Sequence, residues 1–366
     1  MAAKKKAAPV RVGVLGQGRS GLDIHCAWFR HSPSKYKLVA VADILRERRE
    51  RAENELKCDA YADYHDLLAR DDIELVVNSL PSHLHPQAST EALQTGHHVV
   101  CEKPLAWNVK GVDSMRRAAK QAGRLLMPFQ QSRNAPHFQQ LLQVIESGVL
   151  GRIIQINISY SGFARRWDWQ TLQEFKGGNL LNTGPHPMDQ AMRLLDFKKP
   201  RDIICTMDRA NTFGDAEDHV KILVRTPGKP DLDIEITSCA MFARPMFTVY
   251  GTLGGLTGGP GGLTWKYYDP DRAPAQKLLR DPLPGPSYCR EDLRLIEKKW
   301  EPNKTQKNAF GYMSKLYYDH LFDVLRNGVE PAITPEQVRT QIAVIEECHR
   351  QNKLSRRKPK GWPAGN

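Results

Sequence analysis

With 366 residues, 40% of them hydrophobic, the chain exceeds one ordinary core and suits two domains. No apolar run approaches the ~20 residues of a membrane-spanning helix, so no membrane partner is expected. Of the net charge of +12, eight positive charges belong to the two tails (Lys4, Lys5, Lys6, Lys353, Arg356, Arg357, Lys358 and Lys360), and the excess of four left for the body gives no reason to expect a nucleic-acid partner.

Residues 1–9 read as a flexible basic tail with no apolar segment behind it, hence no secretory signal. The seven cysteines are scattered and include no Cys-x-x-Cys pair, which predicts reduced thiols in a cytoplasm rather than disulfides or a metal site. An apolar strand at 11–15 leads into Gly16-Gln17-Gly18-Arg19-Ser20-Gly21 and a helical stretch at 22–30. Glycines at that spacing, after a strand and before a helix, offer backbone amides and a helix N-terminus to a dinucleotide pyrophosphate. A second strand at 37–42 ends at Asp43, whose carboxylate suits the adenosine ribose hydroxyls and repels a 2′-phosphate. NAD is therefore the expected cofactor and NADP the disfavoured one, a preference softened by Arg46, Arg48 and Arg49.

Apolar runs at 74–80, 98–102 and 124–129 continue a doubly wound parallel sheet, with helices at 86–94, closed by Gly96, and 109–122, closed by Gly123. The run at 98–102 closes in Cys101-Glu102-Lys103-Pro104, which brings Lys103 to the redox end of the cofactor. The nucleotide domain spans 10–130.

From 151 the pattern changes, because 152–160 and 231–237 alternate apolar and polar residues, as in an antiparallel sheet covered on one face. A strand at 247–250 precedes Gly- and Pro-rich residues 251–286, read as loops and an oligomer rim. Helices follow at 312–326, capped by Asn327-Gly328, and at 335–351. This second α/β domain, at 131–352, is expected to bind substrate and to oligomerise, and 353–366 to form a basic tail.

Oxidising a secondary alcohol needs a base for the hydroxyl proton, and His186 is the candidate. With Pro187 at the first helical position, His186 would cap a helix whose positive end keeps the imidazole neutral. Lys103 could polarise the substrate oxygen or relay the proton. In the segment Phe163-Ala-Arg-Arg-Trp-Asp-Trp169, Arg165, Trp167 and Trp169 offer the aromatic and charged groups that suit a sugar. His83 and His85 lack a third metal ligand at motif spacing. His85 is expected near the nicotinamide, and His97 and His98 in a surface turn.

Over roughly residues 10–350 the chain resembles the Gfo/Idh/MocA oxidoreductases. The resemblance rests on the glycine fingerprint, Val-Ala-Asp43, Leu80-Pro81-Ser82-His83-Leu84-His85, Glu102-Lys103-Pro104 and the run from Gly177 to His186. It implies a Rossmann domain followed by an α/β domain with a large open, mainly antiparallel sheet. Ser79, Leu80, Pro81, His85, Glu102 and Lys103 would join the fingerprint and Asp43 around NAD. Lys103 and His186 would face the substrate, with the third catalytic position at 182 and Arg133 in contact with substrate or domain interface. The family has an aspartate where this chain has Asn182, and an amide can orient a hydroxyl but exchanges no proton at neutral pH. Asp189 could restore a carboxylate. The implied activity is NAD-dependent oxidation or reduction of a sugar or cyclic polyol by a homo-oligomer, dimer or tetramer. Glycoside cleavage with transient use of tightly bound NAD, and a non-catalytic NAD sensor, are the alternatives.

Overall fold

Two sheets organise the chain in the computed structural model, which describes residues 7–283, 285 and 287–355. Most of the two expected tails, residues 1–6 and 356–366, and Pro284 and Pro286 of the expected loop region lie outside the described residues. The first sheet contains β1 (Val10–Leu15), β2 (Tyr36–Ala42), β3 (Asp59–Tyr61), β4 (Leu75–Asn78), β5 (His98–Cys101) and β6 (Leu126–Pro128). All are parallel, in the order β3-β2-β1-β4-β5-β6. This is the Rossmann order, and its direction reverses between β1 and β4, so the loops leaving those two strands diverge and open a crevice. Val12, Val14, Leu75, Val76, Val77, Val99 and Val100 are all fully buried, as expected of strands covered on both faces. The spacing predicted five strands here. The sixth, β3, is a three-residue edge strand of half-exposed residues, and so carries no apolar run to signal it.

The second sheet holds β7 (Ile153–Ser161), β8 (Asp202–Asp208), β9 (His219–Arg225), β10 (Asp231–Thr237), β11 (Phe247–Gly251), β12 (Gly254–Gly259), β13 (Gly262–Tyr268) and β14 (Leu295–Trp300). Its order is β14-β13-β12-β11-β7-β10-β9-β8, with β7 and β10 parallel and every other pair antiparallel. One face packs Ile156, Ile158, Val220, Ile222, Ile234, Ile236, Phe247 and Val249 into the core. The expectation of loops throughout 251–286 is corrected by β12 and β13. The sequence of β12, Gly-Gly-Leu-Thr-Gly-Gly, has poor intrinsic strand preference. Its glycines answer to crowding instead, since a Cβ on Gly254 would lie 2.1 Å from the Lys266 carbonyl oxygen.

Helix Ala309–Asn327, closed by Gly328 in the left-handed region as the sequence predicted, returns to the first sheet. There Tyr36 Oη donates to the Tyr318 carbonyl at 2.6 Å, and Lys35 pairs with Asp319 at 2.7 Å. Helix Pro335–Gln351 has the predicted bounds and opens on a capping box formed by Thr334 and Gln337. At its end, Gln351 accepts the Cys205 N–H at 2.9 Å and donates to the Ile203 carbonyl at 2.8 Å. Asn352 likewise accepts from Met207 N–H at 3.1 Å and donates to the Cys205 carbonyl at 2.9 Å. Among the described residues, no helix is long and apolar enough to cross a membrane.

Candidate active site

The crevice at the strand-order reversal is a cleft of about 410 Å³, lined by Gly16, Gly18, Arg19, Ser20, Asp43, Ser79 to Ser82, His85, Glu102, Lys103 and Trp169 among others. Its three fingerprint glycines serve different needs. Gly16 has φ +85°, and a Cβ there would meet the Ser79 carbonyl oxygen at 2.7 Å; one on Gly21 would lie 1.9 Å from the Gly16 carbonyl oxygen. A Cβ on Gly18 would meet nothing nearer than Arg48 Nη1 at 3.6 Å. Protein packing therefore dictates the first and third glycines, while the second keeps the cleft wall low, the cradle a pyrophosphate requires. Gln17 and Gly21 support the loop from behind and do not line the cleft. Ser79 Oγ donates to the carbonyls of Leu15 and Gly16 and fixes the loop against β4.

Asp43, 6% exposed, accepts the Gln17 N–H at 2.7 Å and the Leu45 N–H at 2.9 Å, so the carboxylate also braces the glycine loop. Arg48 approaches it at 3.2 Å. The cleft wall continues through Ile44, Leu45 and Arg48, which the motif spacing did not assign. Ile44 is 84% exposed, and its place directly after Asp43 is the signal in the sequence which could have found it.

At the other end of the cleft, Lys103 Nζ donates to the backbone carbonyl of Asn182 at 2.9 Å. Burial lowers the pKa of Lys103 from the ordinary lysine value; Glu102 opposes this, and Arg19 and Arg166 reinforce it. Glu102 is buried, and burial alone would raise its pKa, but His25 and Lys103 bring it down to about 2. His186 faces Ser132 Oγ through Nδ1 at 3.0 Å. Burial first, then the charges of Lys103 and Arg19, push its pKa down to about 3. The helix here is Pro185–Leu194 with Gly184 at its cap, so His186 stands in the first turn rather than at the cap; the expected start at Pro187 is two residues late because Pro185 already has helical geometry.

Other expected site residues sit elsewhere. Arg133, expected in contact with substrate or domain interface, and Asp189, a candidate to restore a carboxylate to the site, form a buried bidentate ion pair at 2.9 and 2.6 Å. Arg133 Nη1 also donates to Ala332 O and Gln337, so the pair is an internal cross-link behind His186 and does not line the cleft. Trp169 lines the cleft; Trp167 is 78% exposed against Phe213, and Arg165 stacks on the same Phe213 ring at 4.5 Å. His85 is buried, with its ring nitrogens 2.7 Å from the Pro104 carbonyl and 2.8 Å from the Leu80 carbonyl. The surface-turn expectation for His97 and His98 is corrected. His97 is buried between the carbonyls of Ile73 and Leu68, and His98 opens β5 and accepts the Leu125 N–H. Two adjacent polar residues resemble a turn in sequence, but here backbone carbonyls satisfy the first. Two further site residues, Ser132 and His25, gave no periodic signal.

Compared with known proteins, residues 10–130 match the oxidoreductase family with NAD-binding Rossmann fold, and residues 138–257 match the GFO/IDH/MocA C-terminal domain. An uncharacterized oxidoreductase of Schizosaccharomyces pombe, C115.03, is 27% identical over 95% of this chain and 98% of its own length. The D-glucoside 3-dehydrogenase of Escherichia coli is 29% identical over 52% of this chain, and the match spans 55% of that relative. The WlbA dehydrogenase of Bordetella pertussis, solved in complex with NADH and UDP-GlcNAcA, superposes with a TM-score of 0.75 at 21% identity, covering 95% of this chain and 97% of that one.

Proposed function

Because the chain belongs to the GFO/IDH/MocA family of NAD-binding oxidoreductases, we propose that it oxidises or reduces a hydroxyl-bearing carbon of a sugar or cyclic polyol. The observation that carries this reading is the meeting of Lys103 with Asn182 at the inner end of the cofactor cleft, in the electrostatic reach of His186. Bound NAD supplies the hydride acceptor. The chain's own task is then the hydroxyl proton.

Lys103 is the better proton acceptor, because burial moves an amine toward the working pH, whereas an imidazole that charges only near pH 3 binds a proton weakly at neutrality. His186, anchored through Nδ1 on Ser132, orients the hydroxyl, and the Asn182 amide positions it without proton exchange. Trp169 on the cleft wall suits the apolar face of a sugar ring, in keeping with the D-glucoside substrate in the name of the Escherichia coli relative. A second reading, glycoside cleavage through transient oxidation, is favoured by the same amide, since a changed proton inventory fits a changed reaction. The outer face of the second sheet exposes Ile204, Leu223 and Tyr250 and supports a homo-oligomer assembled across it.

The experiment is absorbance at the NADH band with NAD and a panel of sugars, polyols and glycosides, with products analysed in parallel. Stoichiometric NADH is the expected result. Glycoside cleavage without NADH accumulation would replace this reading with the second, and silence despite tight NAD binding would refute both.

A further inference from the structure

Behind Lys103 lies a buried polar chain that the proposed proton transfer does not use. His25 is fully buried, with Nδ1 against Tyr318 Oη and Nε2 3.3 Å from Glu102 Oε1. Nε2 makes no aligned hydrogen bond, so its approach to Glu102 is a close contact of a buried polar pair. The other Glu102 oxygen, Oε2, accepts the Lys103 backbone N–H at 2.9 Å. Tyr318 is itself held in place, by Tyr36 on its carbonyl and by Phe29, whose ring lies edge-on at 5.0 Å. The helix that follows the glycine loop winds as a π-helix over Ser20–Cys26 and buries Ile24, His25 and Cys26 in succession. Wide turns of this kind recur at functional sites, where they re-aim a side chain.

Glu102 and Lys103 follow the end of β5, and the Glu102 charge raises the Lys103 pKa, so the carboxylate lies within electrostatic reach of that amine. Here Glu102 Oε2 accepts a backbone N–H and Oε1 lies 3.3 Å from His25 Nε2, no ion pair joins Glu102 to the Lys103 amine among the described residues, and that amine donates to Asn182 instead. We infer that His25 is a positioning residue: by holding Glu102 Oε1 it keeps the carboxylate turned away from the Lys103 amine, leaving that amine to face Asn182 and the cleft. The consequence for catalysis rests on the proposed role of Lys103, but the geometry does not.

The charged and titratable groups acting on Lys103 are Glu102, which raises its pKa, and Arg19 and Arg166, which lower it, with His186 and His85 also within electrostatic reach. A Glu102 carboxylate released from His25 would turn toward the amine and stabilise its protonated form. The test measures the titration of Lys103 directly. The full chain is labelled with acetic anhydride across a pH series, and modification of the Lys103 peptide is followed by mass spectrometry, with NADH fluorescence confirming the fold. In His25→Phe the labelling midpoint should rise by at least ~0.5 pH unit, roughly a threefold loss of neutral amine at a fixed pH below the midpoint. His25→Gln, whose amide nitrogen reaches the place of Nε2, should restore the original midpoint. An unchanged or lowered midpoint in folded His25→Phe overturns the inference. Should that variant fail to fold, His25→Leu, which likewise removes the Nε2 contact with Glu102, carries the test with the same two readings. No substrate enters the measurement, so its failure is distinct from failure of the hydride-transfer reading.

Discussion

Asp189 separates a structural role from a substrate-binding one. Its side chain is fully buried and receives two hydrogen bonds from Arg133, whose side chain is 8% exposed. Asp189→Asn keeps the shape and one acceptor, but replaces one charge-assisted bond, worth about 1.5–3 kcal/mol, with a mismatched amide. It also leaves the guanidinium as a buried charge without its counterion, and breaking such a pair costs about 3–5 kcal/mol in total. Taking about 3 kcal/mol for this conservative change, and about 2–4 °C per kcal/mol for a cooperative unit of ordinary size, the melting temperature should fall by roughly 6–12 °C. Urea unfolding gives the free energy directly. The double replacement Arg133→Met/Asp189→Leu should recover part of the loss, because it removes both charges together. A stability within ~1 kcal/mol of the parent, combined with a raised KM, would refute the cross-link and return Asp189 to the substrate.

Gly21→Ala should abolish measurable NADH binding and lower the melting temperature, because its Cβ would lie 1.9 Å from the Gly16 carbonyl oxygen. Gly18→Ala should melt like the parent yet bind NADH at least ~10-fold more weakly, since the new methyl meets cofactor rather than protein; fluorescence titration beside thermal unfolding checks both. His137, buried outside the cleft, has its pKa lowered by burial to about 4. As the unfolded chain takes up this proton first, near the ordinary 6.5, the stability from its neutral burial is complete above that value and is lost as pH falls toward 4. His137→Phe should therefore reduce the stability difference between pH 6.5 and pH 5 by about 2 kcal/mol in urea unfolding, and an unchanged difference would refute the assignment.

The first sheet was legible because each of its central strands must be apolar on both faces, and Val76 and Val99 advertise this without any partner in view. Its glycine loop was legible because Gly16 and Gly21 answer to backbone contacts that no other residue permits. Helix Pro335–Gln351 carried its own start signal in Thr334 and Gln337. What escaped was decided by tertiary context. The glycines of β12 resemble a loop until the neighbouring strand is placed against them. Arg133 and Asp189 are 56 residues apart, and neither names the other. His25 is one histidine in a helix until the π-turn and Tyr318 show where it points.

The amides of Gln351 and Asn352 stand where a ninth strand of the second sheet would otherwise dock. A docked strand would meet the same needs on β8 but would present a fresh row of donors and acceptors on its far side, so the sheet could lengthen again. Two side chains satisfy Ile203, Cys205 and Met207 without presenting such a row. Like a chain terminator in a polymerisation, they end the ladder at β8.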